Sequence, residues 1–265
     1  MKKAVSVAVL VLFIALMLVG VASAGTVLEG ILKKGELVVG ISGDQPPLNA
    51  TTKDGTVIGL DADIAQAIAT SMSVKIRFSR MPFAELLPAL QAGKVDMIVS
   101  GMTMTPDRNL KVAFVGPYYI SGKGILTKLK SLELLKKDGV NSEKFKVATL
   151  KGSTSQYIVE KAAPKAKLTL AASYDEALNL LFQDKVDAVI ADYPYCAYVV
   201  TRYPDKGLAL GESKLSFEPL GIAVREDTLW INGLENFIRM LVASGDMNAL
   251  QDKWFKNGAW IKQLP

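Results

Sequence analysis

The side chains best suited to bind a ligand follow a predicted strand at 96–99. The small polar stretch Ser100–Thr103 comes first, and Thr105 and Pro106 then start a helix, because a threonine hydroxyl caps free N–H groups and proline suits the first helical position. Arg108 lies in the first turn of that helix, where the helix dipole disfavours a cation. A bound anion would offset this effect, so the hydroxyls, N–H groups and guanidinium together predict a carboxylate site.

Two further polar positions follow predicted strands in the second half of the chain. Gly152–Ser155 opens a helix after one strand, and Asp192 ends another. Asp192 could hold an ammonium group, while Ser153 and Thr154 could add donors to a carboxylate. Taken singly, each feature has an ordinary explanation as a loop, a surface charge, a helix start or a helix cap. Their shared placement at strand ends, where ligands of open α/β sheets bind, predicts a site for a zwitterion.

The elements that must position these residues alternate between strand and helix. Short apolar runs predict strands, and apolar residues that recur every turn predict helices. The predicted strands are 36–41, 74–78, 96–99, 145–149, 168–170, 186–191 and 220–224. The predicted helices are 26–34, 61–71, 83–91, 152–161, 173–183, 193–202, 228–244 and 247–256. Apolar strands in this alternation predict an α/β protein whose parallel or mixed sheets are covered by helices.

The alternation stops and restarts once, which predicts two lobes. The candidate crossings between them are rich in Gly, Pro or Ser and lie at Gly116–Gly122 and Glu212–Pro219. We therefore expect lobe I to comprise residues 25–116 and 219–265, and lobe II to comprise residues 117–218. The C-terminal helices then return to lobe I.

The composition of the 265-residue chain excludes several kinds of site. Without His and with one Cys, the chain cannot build a Ser-His-Asp or Cys-His catalytic centre, an intramolecular disulfide or a Cys/His zinc site. Half of the residues, 50%, are apolar, which argues against disorder. We expect Cys196 to be a buried core residue, and we expect no cofactor.

The charge says little about partners. The chain carries 31 Lys and Arg against 26 Asp and Glu, a formal net charge of +5. The lysines are scattered, and no short basic run is interleaved with aromatic residues. We therefore expect no binding of nucleic acid.

Residues 1–24 carry the features of a cleaved signal peptide. Two lysines precede the apolar run Ala4–Val19, and the small residues Ala22–Ala24 follow it. A membrane anchor is the alternative, because the uncharged stretch Ala4–Val27 is long enough to span a bilayer. The position of the small residues favours cleavage. The cleavage site contains no Cys to which a lipid could be attached, so we do not expect a lipoprotein. We expect an exported, periplasmic protein.

Six stretches carry a resemblance to a known family. They are Gly59–Ala65, Val95–Arg108, Leu150–Thr154, Val186–Asp192, Phe217–Val224 and Lys253–Phe255. In this order they resemble motifs of the polar amino-acid-binding proteins of ABC transporters, which are type II periplasmic solute-binding proteins of bacterial extracellular family 3. The resemblance implies two lobes, each a mixed sheet flanked by helices, joined by two hinge crossings. It also implies a free amino acid captured between the lobes, an ABC permease as partner, a monomer and no enzymatic activity.

The resemblance implies roles for individual residues. Ser100, Thr103 and Arg108 would bind the α-carboxylate of the ligand with help from Thr154, and Asp192 would bind the α-amine. The other positions expected to contact the ligand are Asp44, Gln45, Phe83, Gly101 and Ser153.

The segment after the first strand departs from the family pattern. The family usually has Asp at the position of Ser42 and an aromatic residue at that of Gln45, which offers an amide donor and acceptor instead of a ring. Phe83 lies where the family packs an aromatic or apolar residue against the ligand side chain. Asp61 and Asp63 are expected to be structural. Because Gln45 stands where the family has an aromatic ring, we expect a ligand with a polar or compact side chain rather than a large apolar one.

Two other functional classes stay open. The chain is also similar to cyclohexadienyl dehydratases, exported enzymes on the same scaffold that carry Gly-Asp near the position of Gly43-Asp44. Elimination would need a carboxylic acid with a raised pKa in the pocket. Tyr193–Tyr195 offers no second acid where that branch would place one. A receptor or sensor would need further membrane segments or domains, so we expect a free-standing module.

Overall fold

The computed structural model describes residues 26–211 and 215–265. The predicted signal peptide, residues 1–24, lies outside this part. The described chain forms two five-stranded sheets and one three-stranded sheet. None of its helices combines the length and the apolar character that a membrane span requires.

The first large sheet contains strands from both ends of the chain. Its strands are β1 (Glu36–Ile41), β5 (Lys75–Arg80), β6 (Met97–Ile98), β7 (Ala113–Ser121) and β13 (Glu218–Val224). Their order is β5-β1-β6-β13-β7, with β1 parallel to β5 and β6, and β13 antiparallel to β6 and β7. All residues of β1 after the first are buried, as expected for a strand covered on both faces.

The second large sheet repeats this plan. Its strands are β8 (Lys123–Lys128), β9 (Lys146–Leu150), β10 (Lys167–Ala171), β11 (Ala188–Asp192) and β12 (Leu208–Leu210). Their order is β10-β9-β11-β8-β12, with β9 parallel to β10 and β11, and β8 antiparallel to β11 and β12. Both large sheets are mixed and flanked by helices, which confirms the predicted fold class.

A small antiparallel sheet extends the first lobe towards the second. Its strands are β2 (Asp44–Gln45), β3 (Asn49–Thr51) and β4 (Val57–Ile58). Residues 52–56 connect the last two strands. The sheet carries Asp44 and Gln45 to the place where the two lobes meet.

The helices begin at the caps that the sequence provides. They are α1 (Val27–Lys34), α2 (Leu60–Ser71), α3 (Phe83–Gln91), α4 (Pro106–Asn109), α5 (Leu132–Asp138), α6 (Thr154–Ala162), α7 (Tyr174–Phe182), α8 (Tyr193–Arg202), α9 (Thr228–Ala243) and α10 (Asp246–Phe255). Thr26 and Glu29 form a capping box at α1. The hydroxyl of Ser173 accepts a hydrogen bond from the N–H of Glu176 at 3.1 Å, so Ser173 is the N-cap of α7.

The chain passes between the two large sheets at two adjacent places. Gly122 is the single residue between β7 and β8, and residues 211–217 connect β12 to β13. Ser121 and Glu218 are register partners, so the two crossings lie side by side. The stretch Gly116–Gly122, predicted as a crossing, is therefore strand as far as Ser121.

The apolar core is continuous from one lobe to the other. The C-terminal helices α9 and α10 pack onto the first sheet through Trp230, Leu234 and Trp254. A second cluster joins residues near the first sheet, such as Leu86, to residues near the second, such as Leu178. The two lobes are thus in close contact.

Cys196 is a core residue, as predicted. Its side chain is fully buried on α8 and forms no disulfide. Burial raises the pKa of its thiol to about 12, so the thiol stays protonated and unreactive.

Candidate ligand-binding site

Most of the residues predicted to contact a ligand surround one small cavity between the lobes. Its volume is about 10 Å³, room for roughly one water molecule. The predicted residues that line it are Gln45, Phe83, Gly101, Thr103, Arg108, Ser153, Thr154 and Asp192. Residues of both lobes therefore meet at one point, although they are far apart in sequence.

Ser100 and Asp44 do not line this cavity. Ser100 is fully buried, accepts a hydrogen bond from the N–H of Ser42 at 2.9 Å and donates to the Ser42 hydroxyl at 3.3 Å. Asp44 lines an adjacent interlobe groove of about 760 Å³, and its Oδ2 accepts a hydrogen bond from the N–H of Tyr174 at 2.8 Å. Burial raises the pKa of Asp44 above its ordinary value.

Arg108 lies where the sequence predicts it, in the short helix α4. The hydroxyl of Thr105 caps this helix by accepting from the N–H of Arg108 at 3.3 Å. The guanidinium donates to the carbonyl of Thr103 at 2.8 Å and to that of Gly152 at 3.0 Å, and it lies 5.6 Å from the ring centre of Phe83. Burial lowers the pKa of Arg108 from its ordinary value, against the opposing effect of nearby carboxylates. A ligand anion would offset this burial of charge.

Asp192 accepts hydrogen bonds from four side chains. Oδ2 accepts from Lys123 Nζ at 2.8 Å, from Gln45 Nε2 at 2.9 Å and from the hydroxyl of Tyr174 at 3.2 Å, and Oδ1 accepts from the hydroxyl of Ser121 at 3.1 Å. Asp192 occupies the N-cap position of α8, but its side chain makes no capping hydrogen bond. The carboxylate therefore faces the cavity rather than the helix.

A second carboxylate, Glu218, binds two hydroxyls of the cavity lining. Its Oε2 accepts from the hydroxyl of Thr103 at 2.6 Å and from that of Thr154 at 2.8 Å, and its Oε1 accepts from Ser216 at 2.7 Å. Burial alone would raise the pKa of Glu218, but the ammonium of Lys123 and these hydroxyl donors hold it below its ordinary value. Glu218 is therefore an ionised acceptor near neutral pH.

Sequence reasoning missed Lys123 and Glu218. Each is the first residue of a strand that follows a crossing between the lobes. Both are buried, with 2% and 4% of their surface exposed, and Nζ lies 3.8 Å from Oε2. A charged residue beside a glycine- or proline-containing crossing was the available signal. Leu150 and Tyr174 also line the cavity without having been predicted.

Gln45 lines the cavity and carries a buried acceptor. Its Nε2 donates to Asp192, and among the described residues its buried Oε1 has no hydrogen-bond partner. A Cβ on Gly101 would lie 2.5 Å from this oxygen, and Gly101 has φ of +56°. Glycine is therefore required at 101 both for the backbone and for the close approach of Gln45.

Hydrogen bonds across the cleft hold the lobes together. Gln45 reaches Asp192, Asp44 accepts from the backbone of Tyr174, and Arg108 reaches the carbonyl of Gly152. All three join the first lobe to the second. The cleft is therefore closed around a cavity with room for about one water molecule, and an amino acid could enter it only after the lobes move apart.

Asp61 and Asp63 lie away from the cavity. Asp61 accepts from Asn49 Nδ2 at 2.8 Å and from the hydroxyl of Tyr118 at 2.7 Å, and Tyr118 in turn accepts from the N–H of Gly101 at 3.2 Å. Asp63 accepts from the indole N–H of Trp254 at 2.7 Å. Asp61 thus supports the loop that carries Gly101.

The pKa of Asp61 predicts a specific dependence of stability on pH. Burial raises this pKa from 3.8 to about 7, so between these values the folded protein holds a proton that the unfolded chain has released. The stability from this group is complete below the lower value and is lost as the pH rises towards the higher one. Between about pH 5 and about pH 8, wild-type protein should lose on the order of 2 kcal/mol relative to an Asp61→Asn variant.

Urea unfolding of both proteins at the two pH values measures this difference. The comparison uses the change with pH and not the absolute stability, because asparagine also alters the hydrogen bonds to Asn49 and Tyr118. Parallel pH profiles for the two proteins would show that Asp61 is ionised throughout.

Comparison with known proteins places this geometry in a family. The sequence pattern of the bacterial extracellular solute-binding proteins, family 3, matches residues 37–257. This range includes every residue that lines the cavity.

Characterised relatives cover most of the chain. The L-arginine-binding protein of Pseudomonas aeruginosa is 31% identical over 227 residues, which is 82% of this chain and 86% of that protein. The ABC transporter glutamine-binding protein of Bacillus subtilis is 28% identical over an alignment of 276 positions, which covers 97% of this chain and 98% of that protein.

A solved structure shows the same architecture. The crystal structure of an ancestral amino-acid-binding protein, described as a precursor of cyclohexadienyl dehydratase, superposes with a TM-score of 0.80 at 34% identity. It covers 86% of this chain and 99% of the ancestral chain. The sequence match, the two mixed sheets and the interlobe cavity agree, and this chain belongs to family 3 of the bacterial extracellular solute-binding proteins.

Proposed function

We propose that this protein captures a free amino acid with a polar side chain between its lobes and delivers it to the membrane permease of an ABC transporter. The observation that carries the proposal is the cavity at which the Arg108 guanidinium, which donates to two backbone carbonyls, and the Asp192 carboxylate converge from different lobes. The relatives named for arginine and glutamine support an amino-acid ligand. The Arg108 site would take the α-carboxylate, and the α-amine would approach Asp192.

Gln45 supports a ligand whose side chain carries hydrogen-bond donors. Its Oε1 is buried without a partner among the described residues, which is costly unless a donor reaches it. A guanidinium, ammonium or amide group would satisfy this oxygen, whereas a hydrocarbon side chain would not. The polar side chain predicted from the sequence fits this acceptor.

Calorimetric titration with a panel of free amino acids tests the proposal. The polar arm contains L-arginine, L-lysine, L-glutamine and L-histidine, and the apolar arm contains L-leucine, L-isoleucine and L-phenylalanine. We expect tight binding in the polar arm because Gln45 then gains a donor. Tight binding of only the apolar ligands would overturn the side-chain preference, and no binding in either arm would overturn the proposed function.

Binding without chemistry is part of the proposal. Glu218, the acid at the cavity edge, has a lowered pKa, whereas a general acid for elimination needs a raised one. Among the described acids whose pKa burial raises, Asp44 and Asp175 line the adjacent groove and Asp61 lies away from the cavity. Incubation with prephenate or arogenate should give no phenylpyruvate or phenylalanine, and the appearance of either would favour the dehydratase alternative.

The lobes would close about the two crossings when a ligand binds. Because β7 belongs to the first sheet as far as Ser121, we place the first crossing at Gly122. We assign residues 26–121 and 218–265 to lobe I, because Glu218 begins β13 of the first sheet, whereas the boundaries predicted from the sequence are 25–116 and 219–265. We also propose that the protein is exported to the periplasm after cleavage of residues 1–24 and acts as a monomer.

A further inference from the structure

Two buried charged residues at the crossings have no part in the proposed function. Lys123 begins β8 directly after the first crossing, and Glu218 begins β13 directly after the second. Their charged atoms are 3.8 Å apart beside the cavity. We call them the Lys123–Glu218 pair.

The carboxylate of Glu218 accepts the threonine hydroxyl hydrogen bonds that a ligand carboxylate would need. A threonine hydroxyl has a single hydrogen to donate. Thr103 gives its hydrogen to Glu218 at 2.6 Å, and Thr154 gives its hydrogen to the same oxygen at 2.8 Å. Neither hydroxyl can donate to a ligand until Glu218 releases it. One side chain therefore engages predicted carboxylate donors from both lobes.

The ammonium of the pair holds the carboxylate that a ligand amine would need. Lys123 Nζ lies 2.8 Å from Oδ2 of Asp192, and both side chains are 2% exposed. The two residues are cross-strand neighbours in β8 and β11, so this ion pair lies within one lobe and does not depend on closure. A ligand ammonium would meet a carboxylate whose charge is already compensated.

We propose that Lys123 and Glu218 are affinity-determining residues that compete with the ammonium and carboxylate of an amino-acid ligand for Asp192, Thr103 and Thr154. This inference rests on the proposed function. It has two consequences. Removing the Glu218 carboxylate tightens the binding of ligands that carry a carboxylate. In the wild-type protein the amino group of the ligand adds little affinity, because Lys123 already serves Asp192.

The first test uses Glu218→Gln and Glu218→Ala with L-arginine and L-glutamine in calorimetry. Alanine frees both threonine hydroxyls and should tighten binding about tenfold, the size expected for one or two recovered hydrogen bonds. The Glu218→Gln variant keeps a neutral and weaker acceptor, so its gain in affinity should be smaller. If Glu218 instead orients the threonines for the ligand, Glu218→Ala weakens ligand binding and Glu218→Gln restores it. That result would overturn the proposal.

The second test asks what the amino group of the ligand contributes. The probe pairs are L-arginine with 5-guanidinopentanoate and L-glutamine with glutaramate, which lack only the α-amine. The Lys123→Met, Glu218→Gln double variant keeps the net charge around Asp192 unchanged and leaves this carboxylate to the ligand. Its preference for the amino acid over the des-amino probe should exceed that of wild type by about tenfold or more. The same preference in both proteins would overturn the proposal.

A matched control lies on the same strand. Lys128, at the far end of β8, binds the carbonyl of Phe182 at 2.9 Å and the carboxylate of Asp184, away from the cavity. Lys128→Met should leave the preference for each amino acid over its des-amino probe as in wild type. Thermal unfolding checks that each variant is folded. If neither wild type nor the double variant bound any probe, the proposed function would fail and this inference with it. If wild type bound the probes and the double variant showed the same preference for the amino acid over the des-amino probe, this inference alone would be overturned.

Discussion

Replacing Arg108 by alanine should weaken amino-acid binding by roughly 30- to 5,000-fold, which corresponds to about 2–5 kcal/mol for a buried, hydrogen-bonded charge contact. Arg108 is 9% exposed, and its guanidinium donates to the carbonyls of Thr103 and Gly152. Its remaining N–H groups can therefore take a carboxylate in two parallel hydrogen bonds. Alanine also removes the contact with Gly152 and thus weakens closure. Calorimetric titration with the best ligand of the panel measures the loss.

Arg80→Ala is the matched control for this prediction. Arg80 lines the adjacent groove, and its guanidinium binds the hydroxyl of Thr51 at 2.9 Å on the same lobe. Its removal should leave affinity within about twofold of wild type. Arg108→Lys keeps the charge but loses the planar fork, and its affinity should lie between those of wild type and alanine. Unchanged affinity in Arg108→Ala would refute the assignment of the carboxylate site.

Replacing Asp192 by alanine should destabilise the protein by about 3–5 kcal/mol, because a buried ion pair loses one partner. The ammonium of Lys123 would keep only Glu218 at 3.8 Å, and the donors of Gln45, Tyr174 and Ser121 would lose their acceptor. For a chain of this size the melting temperature should fall by roughly 6–20 °C. Thermal unfolding followed by circular dichroism measures the shift.

An exposed aspartate on the same lobe provides the comparison. Asp184 is 50% exposed and forms ion pairs with Lys128 and Lys130. Solvent screens such pairs, and asparagine tolerates the φ of +58° at this position, so Asp184→Asn should leave the melting temperature almost unchanged. Equal shifts in the two variants would mean that the Asp192 network contributes no more than a surface pair.

The regular elements were predictable because their signals are local. The helix over 83–91 and the helix over 193–202 have the predicted bounds, since apolar periodicity and flanking proline or glycine define them. Strands β7 and β8 were not predicted. They pair antiparallel with β13 and β11, strands that lie far away along the chain. Gly116 and Pro117 within β7, and Gly122 between the two strands, suggested a crossing.

The candidate site was predictable where one element determines a side chain. Arg108 follows from the cap Thr105 and the proline after it, and Asp192 follows from its place at the end of a buried strand. The partners of these residues depend on how the lobes pack. Nothing local to Glu218 indicates that it binds Thr103 and Thr154, and nothing local to Ser100 indicates that its hydroxyl faces Ser42.

The most direct test of the central claim is native mass spectrometry of the purified protein in an equimolar mixture of free amino acids. Capture in the interlobe cavity predicts one complex, one ligand per chain, with the mass of a polar amino acid. The same measurement on Arg108→Ala should show the unliganded mass. An unliganded wild-type protein at every ligand concentration, or the same complex in both proteins, would contradict the account.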